Sequence, residues 1–139
     1  MSDPSAQERA QQQAKAMYAA DRASSALGIV IDDVAPGRAT ATMRVTESMT
    51  NGYDLCHGGY VFLLADTAFA FACNTHGPAV VASGAEVSFL APAYLGDELV
   101  ASATERALRG RSGIYDVTVR RGDEVVAEFR GRSRQRPNR

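Results

Sequence analysis

The order of segments along this chain predicts an α+β fold in which one curved antiparallel sheet of five or six strands wraps around a single long helix. Three observations point there. The run from Tyr60 to Cys73 (YVFLLADTAFAFAC) is apolar on nearly every side of a helix and must therefore be surrounded. An alternating hairpin precedes it. Four segments with strand patterning follow it, and these can supply the cover.

The elements follow in order. Asp3 and Pro4 suit an N-cap and a first helical turn, and good helix formers run on to about Arg22, predicting a short helix over about 4–22. Leu27-Gly28 ends it. An extended segment opens at Ile29, turns at Pro36-Gly37, and returns from Arg38 to Val45 with Ala39, Ala41, Met43 and Val45 alternating against polar neighbours. The stretch MTNGYDLCHGG reads as a loop leading into a helix N-terminus. The long helix spans about Gly59 to His76 and is stopped by Gly77-Pro78. Val80 to Leu90 is a strand, and Glu98 to Leu108, Ile114 to Arg121 and Val125 to Ser133 form a three-strand meander. The whole chain, 1–139, is one domain with a core over about 25–133 and a basic tail over 134–139.

Composition bounds the function. Hydrophobic residues make up 45% of the chain and charged residues 22%, a globular balance. The polar N-terminus resembles no signal peptide, so a cytoplasmic location is expected. The oily run is too short for the ~17 to 25 residues of a membrane span. Cys56 and Cys73 form no CxxC pair, which suits free thiols in a reducing compartment. Residues 106–139 carry ten Arg against four acids, while residues 1–105 carry five basic against twelve acidic residues. That basic end suits a polyanion such as a nucleotide phosphate, although a charged strand edge that resists aggregation is the plainer reading. The absence of interleaved aromatics argues against single-stranded nucleic acid, and no phosphate-binding glycine motif occurs.

One acid, Asp66, interrupts the oily run. Burying a carboxylate without a partner costs several kcal/mol, so Asp66 either accepts structural hydrogen bonds or performs chemistry. As chemistry, an ionised Asp66 in an apolar cleft can attack a thioester or take a proton from water. Gly58 and Gly59 expose first-turn N–H groups able to polarise a carbonyl oxygen, with Gly58 the candidate donor. Asp66 lies eight residues on, about 12 Å along the axis, too far to attack a carbonyl held at its own helix's start. The two groups are thus expected to meet across a subunit interface, and the open strand edges favour pairing with a second copy. Thr67 and Asn51 are polar groups that can steady the carboxylate or its water, although an Asn in such a loop more often makes a turn. His57 can shuttle protons or simply stand at the helix N-cap. Cys56, His57, Cys73 and His76 lie about 25 Å apart in two pairs, against a closed zinc site.

The constellation Asn51-Gly52, Cys56-His57-Gly58-Gly59, Leu64-Ala65-Asp66-Thr67-Ala68, Phe89-Leu90-Ala91-Pro92 and Phe129-Arg130-Gly131 resembles the hot-dog-fold thioesterases of the phenylacetate-degradation type, the PaaI family. The resemblance implies a hot-dog fold, a homodimer with composite active sites and a homotetramer of two such dimers. It implies hydrolysis of phenylacetyl-CoA and its ring-hydroxylated relatives, with coenzyme A as part of the substrate and no metal or prosthetic group. It implies Asp66 as base or nucleophile, Gly58 as the polarising donor, and Asn51 and His57 as positioning groups. Gly59, Thr67, Tyr60, Phe62 and Leu63 are then expected to bind substrate. A non-catalytic acyl-CoA-binding protein, a thioesterase for other aryl or medium-chain acyl-CoAs, and a hydratase or dehydratase on the same fold are the competing expectations.

Overall fold

The computed structural model describes residues 3–137. The chain forms α1 (Ala6–Ala20), α2 (Arg22–Ala26), β1 (Val30–Ala35), β2 (Arg38–Arg44), a 3-10 turn (Glu47–Met49), α3 (Gly58–Cys73), β3 (Val80–Phe89), β4 (Glu98–Arg109), β5 (Ser112–Arg121) and β6 (Glu124–Gln135). The six strands make one antiparallel sheet in the order β1-β2-β4-β5-β6-β3, with α3 against its inner face. This is the hot-dog arrangement.

Inner-face positions alternate along each strand as the pleat requires. Ala39, Ala41 and Met43 on β2 are buried, as are Leu99, Ala101 and Ala103 on β4 and Tyr115, Val117 and Val119 on β5. The alanines sit opposite one another, Ala41 with Ala101 and Ala39 with Ala103. Two rows of small side chains let the backbone of α3 lie close to the sheet, and its bulkier Leu64, Phe69 and Phe71 fill the space beside them. Phe69 meets the Tyr115 ring at 5.7 Å and the Phe129 ring at 5.8 Å between centroids. Gly131 belongs to this packing: a Cβ there would lie 2.8 Å from three atoms of the fully buried Phe69 ring. Gly131→Ala is therefore expected to destabilise the fold by roughly 1–3 kcal/mol through overpacking, measurable as a lower urea midpoint.

Strand β5 starts two residues earlier than expected, at Ser112, and β6 runs on to Gln135, into the expected tail; three helix boundaries differ as well. Helix α1 is capped by Ser5, whose Oγ accepts from the Glu8 N–H at 3.1 Å, and Asp3 and Pro4 lie outside it. The spacing Ser5 to Glu8 places a capping acceptor and an acid three residues apart, a stronger start signal than Asp-Pro. The helix also breaks at Asp21, which caps the separate α2 by accepting from Ser24. Helix α3 ends at Cys73, before His76, because Asn74 turns the chain: its Nδ2 donates to the Ala70 and Val80 carbonyls and its Oδ1 accepts from the Val80 N–H.

A polar knot fastens the far end of α3. Glu105, on β4, accepts from the Tyr115 hydroxyl at 2.7 Å and pairs with His76 Nε2 at 2.8 Å. Thr75 Oγ1 accepts from the Gly37 N–H, tying in the β1–β2 turn. Burial pushes the Glu105 carboxyl up, but the hydrogen bonds from Tyr115 and His76 and the His76 charge outweigh it, leaving its pKa below the ordinary glutamate value. A depressed folded-state pKa contributes stability that is present above the unfolded pKa of about 4.3 and is lost as pH falls through the folded value. Glu105→Gln is thus expected to flatten the acid side of the stability curve, read from thermal midpoints at roughly pH 3 to 6. An acid slope identical to wild type would contradict the assignment.

Candidate active site

The loop ahead of α3 is shaped by backbone hydrogen bonds. Asn51 Oδ1 accepts from the N–H groups of Tyr53 at 2.9 Å and Leu55 at 3.2 Å, an Asx turn that sets the loop's course. The His57 N–H donates to the Met49 carbonyl at 2.9 Å, and the His57 carbonyl accepts from Tyr60 at 3.0 Å. His57 is the N-cap of α3, with an exposed ring that makes no side-chain cap bond. Gly58 and Gly59 occupy the first two helical positions. Among the described residues nothing accepts from their N–H groups.

Beside Gly58 opens a groove of about 550 Å³ walled by Asn51, Leu55, Cys56, His57, Gly58, Val61, Phe89 to Ala93 and Val126. Its lining is mostly apolar. A carbonyl entering it meets the positive end of the α3 dipole and an N–H free to donate.

Asp66 stands half-buried midway along α3. Its carboxyl is pushed above the ordinary aspartate pKa by burial. Around it, at helical spacing, Gly59, Phe62, Leu63 and Ala70 are also incompletely buried and mark a stripe of α3 that the sheet does not cover. Phe62 is held on that stripe by an edge-to-face contact with Phe129 at 5.4 Å. Both thiols are poor nucleophiles: burial raises Cys56, and burial with the Asp66 charge pushes Cys73 up to about 12 against one backbone hydrogen bond.

The structure gathers Asn51, His57 and Gly58 at one end of α3 and Asp66 with Phe62 and Leu63 along its open stripe. It does not bring the two groups together within one chain. Tyr60 packs against the core, and Gly59 has open space where a Cβ would stand. Thr67 turns inward, 7% exposed, with its Oγ1 3.1 Å from Ser24 Oγ. Because the Ser24 proton goes to Asp21 at 2.7 Å, Thr67 donates to Ser24 and so locks α2 onto α3. Sequence reasoning missed Phe89, whose ring lies on Gly58, although its place in the Phe89-Leu90-Ala91-Pro92 motif was a signal.

Four arginines of the C-terminal half, Arg106, Arg121, Arg130 and Arg132, are held in ion pairs with acids of the sheet and its adjoining loops. Arg130 pairs with Asp116 at 2.7 Å, Arg132 with Glu86 at 2.9 Å and Arg121 with Asp97 at 3.0 Å. Among the described residues no three His, Cys, Asp or Glu converge as a metal site. Among the described residues no helix is long and apolar enough to cross a membrane.

Comparison with known proteins agrees with this geometry. The family model of the thioesterase superfamily matches residues 53–128. The chain is 48% identical over 126 residues to the acyl-coenzyme A thioesterase PaaI of Escherichia coli, covering 90% of each chain. It is 34% identical over 116 residues to a putative esterase of Archaeoglobus fulgidus, covering 83% of this chain and 75% of that one. The solved structure of the E. coli PaaI protein from the phenylacetic acid degradation operon superposes with a TM-score of 0.94 at 44% identity, covering 96% of this chain and 98% of that chain. A mutant PaaI from Thermus thermophilus gives a TM-score of 0.81 at 34% identity, covering 84% of this chain and all of its own. A six-stranded sheet around α3, an acid midway along that helix with no partner among the described residues and a glycine pair at its start thus coincide with close likeness to PaaI over nearly the whole chain, and the protein belongs to the thioesterase superfamily as a PaaI-type hot-dog member.

Proposed function

We propose that this protein is an acyl-CoA thioesterase that hydrolyses phenylacetyl-CoA, or ring-hydroxylated phenylacetyl-CoA, to the free acid and CoA. One observation carries the reading: Asp66 is a half-buried carboxyl on an uncovered helix stripe, raised by burial and without a hydrogen-bond or ion-pair partner among the described residues. A structural acid would have a partner. The likeness to the E. coli acyl-coenzyme A thioesterase PaaI supports both the reaction and the aryl substrate class.

The reaction uses two helix positions. The Gly58 N–H and the helix dipole polarise the thioester carbonyl, and Asp66 either attacks the carbonyl carbon or deprotonates the water that does. The oxyanion collapses with breakage of the C–S bond, and the thiolate leaves, taking up a proton as CoA. The water route gives the acid directly, whereas the nucleophilic route leaves an acyl-Asp66 anhydride that a water hydrolyses to the acid and the free carboxylate. Asn51 positions Gly58 through the loop it shapes, and His57 stands at the mouth of the groove. Phe62 and Leu63, beside Asp66, offer the acyl group an apolar wall.

The site is composite in this reading. Strand β3 is an edge strand bonded to β6 alone, with Val81 48% exposed. Antiparallel pairing of two β3 edges runs the two α3 helices in opposite directions, so the start of one helix faces the later turns of the other. Gly58 of one protomer then meets Asp66 of its partner. We place the protein in the cytoplasm as a homodimer that pairs again into a tetramer. Sedimentation should return a species of two or four chains, and a monomer that hydrolyses acyl-CoA would overturn the composite site.

The test of activity is thiol release from phenylacetyl-CoA, hydroxyphenylacetyl-CoA, benzoyl-CoA and a short straight-chain acyl-CoA. The aryl substrates should lead. The ionised carboxylate is the working form, so kcat/KM should fall as pH drops through a limb above the ordinary aspartate value of about 3.9. Enoyl-CoA consumed without thiol release would favour a hydratase instead.

A further inference from the structure

Phe89 closes β3 and is 54% exposed, an unusual place for a large aromatic ring at the mouth of an apolar groove. Its ring has a definite seat. A Cβ built on Gly58 would lie 2.9 Å from the ring's far carbon and 3.2 and 3.3 Å from the two beside it. The ring therefore fills the space that any side chain at position 58 would need, on a residue that lines the groove and whose N–H finds no acceptor among the described residues. Gly59, by contrast, has nothing within 4 Å of its missing Cβ.

We infer that Phe89 is a positioning residue of the reaction, seated on Gly58, which keeps water from the polarising N–H and holds the thioester carbonyl against it. The inference rests on the thioesterase reading above and deepens it. Three physical points carry it. An N–H bonded to a carbonyl in a dry pocket polarises it more strongly than one shared with water. The three atoms nearest a Cβ position on Gly58 all belong to the Phe89 ring, so this is the side chain placed to flank a carbonyl held by the Gly58 N–H. The need for glycine at 58 then comes from the ring, because an alanine would keep the N–H and lose only the seat.

The last point makes the inference testable by a pair of variants. The clash is with the outer end of a half-exposed side chain, which can swing into solvent, so Gly58→Ala should fold with an unchanged thermal midpoint while displacing the ring. Phe89→Ala removes the ring outright. Each is expected to lower kcat roughly 10- to 100-fold with a smaller change in KM, the scale of a reacting group displaced by about 1 Å. Phe89→Tyr should retain activity because it retains the ring. The double variant Gly58→Ala/Phe89→Ala should be no worse than Phe89→Ala alone, since both act through one ring.

The same losses should appear with arylacetyl-CoA and straight-chain acyl-CoA, because the ring lies at the carbonyl end. A second measurement does not need turnover. In an Asp66→Asn background, the carbonyl stretch of bound phenylacetyl-CoA labelled with carbon-13 at the thioester should move toward its value in water when Phe89 becomes Ala. Wild-type kcat in Phe89→Ala, multiplicative losses in the double variant, a loss confined to one acyl class, or an unmoved carbonyl stretch would each overturn the inference. Wild-type protein that binds the thioester without hydrolysing it would instead overturn the proposed function, with the carbonyl stretch still deciding the role of Phe89.

Discussion

Asp66→Asn is expected to abolish most turnover, with kcat falling roughly 10²- to 10⁴-fold, while KM stays near wild type. The substitution keeps the shape and a hydrogen-bonding end but supplies neither a nucleophile nor a base. Stability should move the other way. Burial raises the Asp66 carboxyl above its ordinary value. A group with a raised folded pKa favours folding while protonated, and that contribution is lost as pH rises through the folded value. At neutral pH the ionised carboxylate is therefore a cost to folding, and a neutral amide removes it. The thermal midpoint of Asp66→Asn should equal or exceed wild type. A variant that loses activity and gains stability identifies a residue kept for chemistry; one that loses both would make Asp66 structural. An acyl-CoA-binding protein without catalysis would keep its affinity and have no turnover to lose.

Phe69→Ala should be the most damaging single truncation of the core, at about 3–5 kcal/mol. Its ring is fully buried in α3, packs on Tyr115 and Phe129, and fills the notch left by Gly131. The sheet on one side and the helix backbone on the other cannot collapse into the void. Against a total stability of about 5–15 kcal/mol, that loss lowers the midpoint by roughly 10 °C or more. Because Phe129 also braces Phe62 on the open stripe, the truncation should weaken aryl substrates at temperatures where the protein is still folded. A shift of only a degree or two in calorimetry would mean the core is more plastic than its contacts suggest.

These two residues mark what the amino-acid order reveals and what it hides. Helix α3 and its lone acid are legible because an all-round apolar run has only one kind of place in a domain, and a carboxylate within it needs a reason. The meander β4-β5-β6 is legible because each strand pairs with its sequence neighbour across a short turn. The position of β3 is not, since it crosses the sheet to pair with β6 at the edge, a choice made by the cover α3 requires rather than by its own pattern. Thr67 shows the same limit at the site. Its place beside Asp66 in sequence suggested a shared task, yet one step along a helix turns a side chain by about 100°, and its hydroxyl meets Ser24 on a helix 43 residues away. Asn51 reads both as a turn former and as a candidate site residue, and its Asx turn serves the first role directly. The Gly58 and Phe89 pair lies 31 positions apart, and no periodicity records that one is small because the other is large.

The composite site has one direct test. Gly58→Pro deletes the polarising N–H at the first helical position, where proline is tolerated, and Asp66→Asn deletes the carboxylate. Each variant alone should be inactive. Mixed, denatured and refolded together, they form hybrid dimers in which one site carries both defects and the other carries neither. Thiol release from phenylacetyl-CoA should then return to roughly a quarter of the wild-type rate, half the dimers having one of two sites intact. A mixture that stays inactive, although the variants form hybrids, would contradict a site shared between Gly58 of one protomer and Asp66 of its partner.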